Sequence, residues 1–67
     1  MKNLSAEMNR YGVRNIDIQS VLHCSDKTVT NKLNGVTEFS VNEAMKIRDT
    51  FFPSLRIEYL FASDAHI

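Results

Sequence analysis

The sequence has few of the features that mark secreted or membrane proteins. It contains one cysteine, Cys24, among 67 residues, so no intrachain disulfide can form. Its longest uninterrupted apolar run, Tyr59–Ala62, is far shorter than the roughly 18 residues that a membrane span requires. Lys2 is followed by no apolar stretch of the kind found in signal peptides. These absences predict a cytoplasmic protein in a reducing environment, with no membrane partner.

The residues that usually carry catalysis or bind metals are also scarce. Two histidines, His23 and His66, and one cysteine are too few for a metal site, which needs about four ligands at a recognisable spacing. No serine or cysteine is accompanied by a plausible base and orienting acid, and no glycine-rich phosphate loop is present. We therefore expect no enzyme activity, no cofactor and no small-molecule substrate. Cys24 is expected to pack inward as a small apolar residue.

The chain also lacks an excess of charge of either sign. Eight basic and eight acidic residues give a formal net charge of zero, whereas a basic excess is the usual mark of a nucleic-acid-binding protein. The two halves differ, because residues 1–35 carry five basic against three acidic residues, a balance of +2. Residues 36–67 carry three against five, a balance of −2. The more positive half contains the third of the helices described below, but a bias of this size does not by itself indicate a partner.

What the sequence does contain is a succession of short helical patterns. Asn3–Tyr11 has apolar residues at i, i+4 and i+7, which predicts an amphipathic helix, and Gly12 suits its C-cap. A second helix is predicted near Ile16–Leu22, with Asn15 as its cap. A third is predicted from the N-cap Ser25 to the turn-forming pair at 34–35.

Two further helices are predicted in the second half of the chain. Val36–Phe39 is predicted to be a loop, and Ser40 and Glu43 have the spacing of a capping box that opens a helix reaching about Phe51. Pro53 then breaks the chain before a last short helix over roughly residues 55–61. We expect these two helices to pack inward through Val41, Ala44, Met45, Ile47 and Phe51, and through Leu60 and Phe61.

The predicted fold is therefore all-α, a compact five-helix bundle in a single domain over residues 1–67. Its core is expected over about residues 3–62, with residues 63–67 as a loose tail. A domain of this length buries only roughly 60% of its unfolded surface. Most of its apolar residues must therefore share one core.

The third helix has one apolar and one polar side. At about 100° per residue, Val29 and Leu33 define the buried side. The exposed side consists of Lys27, Thr28, Thr30, Asn31 and Asn34. In the major groove of DNA, lysine pairs with guanine and asparagine pairs with adenine. A solvated helix face has the same composition, so this pattern alone leaves both interpretations open.

An ordered set of residues in the segment 12–35 carries a family resemblance. The set is Gly12, Asp17-Ile18, Val21-Leu22, Ser25, Lys27-Thr28-Val29 and Lys32-Leu33-Asn34-Gly35, followed later by Glu38-Phe39-Ser40, Glu43–Asp49, Phe51-Phe52-Pro53 and Glu58–Phe61. It resembles the helix-turn-helix of the Cro/repressor type, also called the XRE family, over about residues 3–62. The resemblance implies a lambda-repressor-like fold and a small transcriptional regulator, bacterial or phage-encoded, that binds a double-stranded DNA operator as a repressor or Cro protein does.

The resemblance also implies roles for individual residues. The helix Ser25–Leu33 would enter the major groove. The residues implied to read base edges are Asp26, Lys27, Thr28 and Asn31, to which the exposed face adds Thr30. The residues implied to contact the DNA backbone are Asn15, Ser25, Asn34 and Thr37. Lys32 lies at the edge of the buried side, where it either reaches a phosphate or is simply solvated.

The sequence departs from the family pattern at three positions. His23 stands where the turn usually has glycine, and histidine tolerates positive φ better than most residues. Gln19 stands where a small residue is usual, which predicts a wider helix crossing. Asp26 puts a negative charge near DNA, where it either accepts from a cytosine amine or acts only as an acidic residue at the positive end of the helix. Together with the zero net charge, Asp26 motivates an alternative, a protein-interaction adaptor of the antirepressor or antitoxin kind with little DNA affinity.

The short length of the reading helix also predicts self-association. A single short helix reads only a few base pairs, so we expect a homodimer whose two recognition helices lie about 34 Å apart on a near-palindromic site. The expected dimer surface is the last helix, at Tyr59, Leu60 and Phe61.

Overall fold

Five helices follow one another in a computed structural model that describes residues 2–62. They are α1 (Lys2–Tyr11), α2 (Asn15–Leu22), α3 (Asp26–Leu33), α4 (Val41–Phe51) and α5 (Ile57–Leu60). No strand occurs in this part of the chain, and none of its helices is long and apolar enough to cross a membrane. The predicted all-helical, five-helix architecture is confirmed. The tail expected at residues 63–67, including His66, lies outside the described residues.

One apolar core joins all five helices. Its buried members are Leu4, Met8, Ile18, Val29, Ile47, Phe52 and Leu60. Helix α2 packs against α3 and α4, while α5 packs against α1 and α4. The radius of gyration is 10.9 Å, close to the roughly 11 Å expected for a compact domain of this length. The single shared core is the arrangement that the short chain requires.

The junction between α1 and α2 differs in part from the prediction. Gly12 ends α1 with φ +71°, and the amide of Val13 donates to the Met8 carbonyl at 2.8 Å, as a C-cap glycine permits. The expected cap of α2 was wrong, because Asn15 is the first residue of that helix and Arg14 is its N-cap. The Asp17 carboxylate, within the first turn of α2, accepts from the Arg14 amide at 2.8 Å. A side chain of the helix itself thus satisfies the amide of the N-cap residue.

The turn between α2 and α3 is tight, and its first residue adopts the left-handed backbone conformation. His23 has φ 57° and ψ 48°, which confirms the expectation that it takes the conformation usually given to glycine. Its amide donates to the Gln19 carbonyl at 2.7 Å. Cys24 follows, half-buried against the core, and Ser25 begins α3 as its N-cap. These residues set α3 against α2 with only three residues between the helices.

The connection from α3 to α4 is a loop closed by a capping box, as predicted. Asn34 is the C-cap of α3, and Gly35 has φ +79°. The Ser40 hydroxyl accepts from the Glu43 amide at 3.1 Å, and the Glu43 carboxylate accepts from the Ser40 amide at 2.9 Å. Two amides that a helix start leaves unpaired are thus satisfied by side chains.

Helix α4 turns a narrower face inward than expected. Ala44 and Ile47 are buried and Phe51 is half-buried, but Val41 is 73% exposed and Met45 is 44% exposed. Including the last two among the inward residues was wrong. Successive helical residues lie about 100° apart, so Met45 turns away from the side that Ala44 buries.

The last helix is shorter than predicted. It covers Ile57–Leu60 rather than residues 55–61, because residues 53–55 form turns after α4. The amide of Leu55 donates to the Phe52 carbonyl at 3.0 Å, and Arg56 is the N-cap of α5. Leu60 is fully buried, which confirms its predicted anchoring role.

Candidate nucleic-acid interface

Helix α3 has one apolar and one polar side, but the polar side is less exposed than predicted, because Thr28, Thr30 and Asn31 are half-buried. Val29 is fully buried, and Leu33 packs partly buried against the same core. Lys27 is exposed on the other side. The start of the helix is held by Ser25, whose hydroxyl accepts from the Thr28 amide at 3.2 Å. A capped short helix with one buried anchor can therefore present its opposite side in a defined orientation.

Lys27 and Asn31 stand one helical turn apart on α3. Lys27 is exposed and Asn31 is half-buried. Within residues 2–62, neither side chain forms a hydrogen bond or an ion pair. Asp26, also exposed, lies beside Lys27 in the first turn. Lysine offers donors only, and asparagine offers both donors and an acceptor, so the pair combines two different hydrogen-bonding groups on one face.

The two threonines of this face are already engaged within the chain. The Thr28 hydroxyl lies 2.9 Å from the Ser25 hydroxyl, and the Thr30 hydroxyl accepts from the side-chain amide of Asn15 at 3.4 Å. Both threonines are half-buried. The five residues predicted to read bases therefore fall into two groups. Thr28 and Thr30 connect α3 to its own cap and to α2, whereas Asp26, Lys27 and Asn31 form no side-chain hydrogen bond within residues 2–62.

The other residues predicted to contact a nucleic-acid backbone flank the two ends of α3. Ser25 is exposed at the start of the helix, while Asn34 is exposed at its end. Thr37 is exposed in the following loop, and its amide lies 3.4 Å from the Asn31 carbonyl. The structure thus places exposed polar groups at both ends of α3.

Lys32 is placed differently from either expectation for it. Its ammonium group donates to the Glu38 carbonyl at 3.0 Å and to the Glu43 carboxylate at 3.1 Å. It also lies 5.8 Å from the centre of the Phe39 ring. Its side chain is only 14% exposed. Simple solvation was therefore wrong, and a phosphate contact would require this ammonium group to leave both of its partners.

Sequence reasoning missed the network around Lys32. Glu43 was identified as part of a capping box, but its ion pair joins residues eleven positions apart on two helices. The backbone amide of Ser40 lowers the pKa of Glu43, burial raises it, and Lys32 lowers it further, so that the net direction is downward. Glu43 is therefore held as a carboxylate, the form that both of its partners favour.

The surface predicted for dimer formation is largely used within the chain. Leu60 is fully buried in its own core, so assigning it to an interface was wrong. The Phe61 ring packs edge-on against Phe39 with centroids 5.3 Å apart. The Tyr59 hydroxyl donates to the buried carboxylate of Glu7 at 2.8 Å, and this hydrogen bond raises the pKa of Tyr59. Of the three residues, only Tyr59 keeps a substantially exposed side chain.

Comparison with known proteins does not identify a family for this chain. Comparisons with protein-family models, with curated proteins and with solved structures each found no match to the chain. Among residues 2–62, no group of three or more histidine, cysteine, aspartate or glutamate side chains is arranged to hold a metal ion. A functional conclusion therefore depends on the arrangement of α2, the turn and α3.

Proposed function

We propose that this chain binds double-stranded DNA sequence-specifically, as a small transcriptional regulator. In this proposal α2, the turn at His23 and α3 act as a helix-turn-helix of the Cro/repressor type within a lambda-repressor-like fold. One observation carries the proposal. Val29 anchors α3 in the core, while Lys27 and Asn31 stand one turn apart with side chains that have no partner within residues 2–62.

The dimensions of α3 suit the major groove. An α-helix with its side chains is about 10–12 Å across, and the major groove is about 12 Å wide and admits a helix of that diameter. Exposed Ser25 at one end and exposed Asn34 and Thr37 at the other are proposed to bind phosphates. Asn15, which is hydrogen-bonded to α3, is proposed to do so from α2. Such contacts fix register without reading sequence.

The side chains of α3 suggest which bases are read. We assign Lys27 to guanine O6 and N7, and Asn31 to a bidentate contact with adenine. Asp26 is assigned to a cytosine amine, for which a carboxylate is the matching acceptor. Thr28 and Thr30 contribute through the hydrogen-bonding capacity that their internal contacts leave. Lys32 is omitted from the phosphate-binding set because its ammonium group is engaged by Glu43 and Glu38.

A second copy is part of the proposal. One eight-residue helix reads only a few base pairs, so a homodimer would present two recognition helices about 34 Å apart on a near-palindromic operator. Tyr59 stays in the proposed dimer surface, whereas Leu60 does not, because it is buried. Selection of bound sequences from a random duplex pool should therefore return a two-fold symmetric site.

The decisive experiment is a salt titration of binding to duplex DNA. A protein that neutralises several phosphates loses affinity steeply as salt rises, with a slope of roughly −0.9 per phosphate. We expect such a slope for mixed-sequence duplex and tighter binding to the selected site. The proposal would be overturned if no binding were seen at ~50 mM salt, or if the affinity did not change as salt is raised from that concentration.

The second candidate is the protein-interaction adaptor. It is favoured by the zero net charge, by the exposed carboxylate of Asp26 and by the internal use of the Lys32 ammonium group. The variant Asp26→Asn separates the two candidates. Removing a negative charge near phosphates should raise affinity for mixed-sequence duplex, in which Asp26 makes no specific base contact, if α3 enters the groove. An adaptor should bind no duplex either with or without this change.

A further inference from the structure

We infer that Lys32 is a positioning residue: its ammonium group holds the C-terminal end of α3 and the loop at residues 34–40 against α4, and thereby orients Asn31. The hold on the loop is independent of any ligand. Its consequence for DNA reading rests on the proposed function. Lys32 thus differs in role from Lys27, the other lysine of the same helix.

The first support is the number of elements that one ammonium group joins. Lys32 belongs to α3, while its two acceptors are the Glu38 carbonyl in the loop, at 3.0 Å, and the Glu43 carboxylate in α4, at 3.1 Å. The Phe39 ring of the loop lies 5.8 Å from the same nitrogen. A lysine ammonium has three donors and no acceptor, so these contacts occupy most of its capacity.

The second support is that Glu43 is itself fixed. The carboxylate oxygen that accepts from Lys32 also accepts from the Ser40 amide at 2.9 Å. The Glu43 amide in turn donates to the Ser40 hydroxyl at 3.1 Å. Charge-assisted hydrogen bonds are roughly twice as strong as neutral ones. The ammonium of Lys32 is therefore bound to a preorganised helix cap.

The third support is the path from this network to Asn31. The carbonyl of Asn31 accepts from the Val36 amide at 2.9 Å and from the Thr37 amide at 3.4 Å. The loop that Lys32 holds is thus the same loop that caps the backbone of Asn31. Lys27 depends on the N-cap of α3 instead. Loss of the Lys32 contacts should therefore loosen Asn31 and leave Lys27 in place.

Amide hydrogen exchange tests the hold on the loop without DNA. We expect Lys32→Met and Glu43→Gln each to speed exchange at the Val36 and Thr37 amides by roughly tenfold, the range for losing a charged hydrogen bond. Glutamine retains the capping acceptor, so Glu43→Gln removes the charge and spares the helix start. Lys46→Met, the same change at an exposed position of α4, is the control. Unchanged exchange in Glu43→Gln would overturn the inference even if Lys32→Met failed to fold.

Duplex affinity tests the consequence for reading. Lys32→Met should weaken specific binding roughly tenfold, combine non-additively with Asn31→Ala, and combine additively with Lys27→Ala. Its salt slope should match that of the wild type. A slope smaller by about 0.9 would instead identify Lys32 as a phosphate contact and overturn the inference. If the wild-type chain binds no duplex, the proposed function fails, while the exchange rates still decide whether Lys32 holds the loop.

Discussion

The two ends of α3 are held in different ways. At its first turn, the Ser25 hydroxyl accepts from the amide of Thr28, three residues away, and Lys27 is exposed. At its last turn, Lys32 reaches Glu43, eleven residues away, and its side chain is only 14% exposed. Two lysines five positions apart therefore have different environments. The first end is organised by local chemistry, and the second by contacts that exist only after the chain has folded.

The largest expected effects are on DNA affinity at the exposed side of α3. Lys27→Ala and Asn31→Ala should each weaken specific binding by roughly 1–3 kcal/mol, because each removes a side chain proposed to contact a base. Neither should lower the free energy of unfolding by more than about 0.5 kcal/mol, since neither side chain has a partner within residues 2–62. Binding isotherms and urea denaturation measure the two quantities separately. If either variant unfolds, the assignment of buried and exposed sides is reversed.

The stability of two matched variants tests the difference between the ends directly. Lys32→Met should lower the free energy of unfolding by about 1–2 kcal/mol, because it leaves a partly buried carboxylate without its charged donor. Lys27→Met, the same change at an exposed site, should stay within about 0.5 kcal/mol of the wild type. Urea denaturation with a common m-value measures both. Equal losses from the two variants would remove the distinction between the ends.

The distinction also explains how much of the structure could be predicted. The cap at Ser25, the capping box at Ser40 and the C-cap at Gly12 depend on neighbouring residues, and all were predicted. His23 was expected only to tolerate the left-handed conformation that it adopts. The expected cap at Asn15 failed because Asp17, two positions later, satisfies the helix start instead. Competition between two polar residues this close in sequence is not resolved by propensity alone.

The remaining errors concern contacts between distant segments. The ion pair of Lys32 with Glu43 and the hydrogen bond of Tyr59 with Glu7 join residues with no sequence periodicity in common. Met45 fits an apolar pattern, yet it points outward, because the core of a small domain covers only part of a helix. The local structure of α3 was thus predicted at its capped first turn and mispredicted where the helix meets α4.

A cap deletion should produce a smaller effect at the local end of α3. Ser25→Ala should lower the free energy of unfolding by about 1 kcal/mol, because the Thr28 amide loses its acceptor. Ser20→Ala is the matched control, since that exposed serine lies inside α2, where alanine is favoured. Thermal or urea unfolding measures both variants. If the control is destabilised as much as Ser25→Ala, the cap does not hold the first turn.

The smallest expected effect is a pH dependence confined to the other end. The Ser40 amide and the Lys32 ammonium hold the pKa of Glu43 below its ordinary value of 4.5, against burial, which raises it. A carboxyl with a lowered folded pKa adds stability above its unfolded pKa, and this stability is lost as pH falls through the folded pKa. Between about pH 6 and about pH 3, the wild type should therefore lose more of its free energy of unfolding than Glu43→Gln.

All other carboxyl groups are common to the two proteins, so the difference between their pH profiles isolates Glu43. Urea denaturation at several pH values measures it. Lys32→Met should fall between the two profiles, because it removes the ammonium but keeps the Ser40 amide that also lowers the pKa of Glu43. Parallel profiles for all three proteins would mean that the charge on Glu43 does not hold the loop. The apolar packing of Phe39 against Phe61 would then be what fixes the C-terminal end of α3.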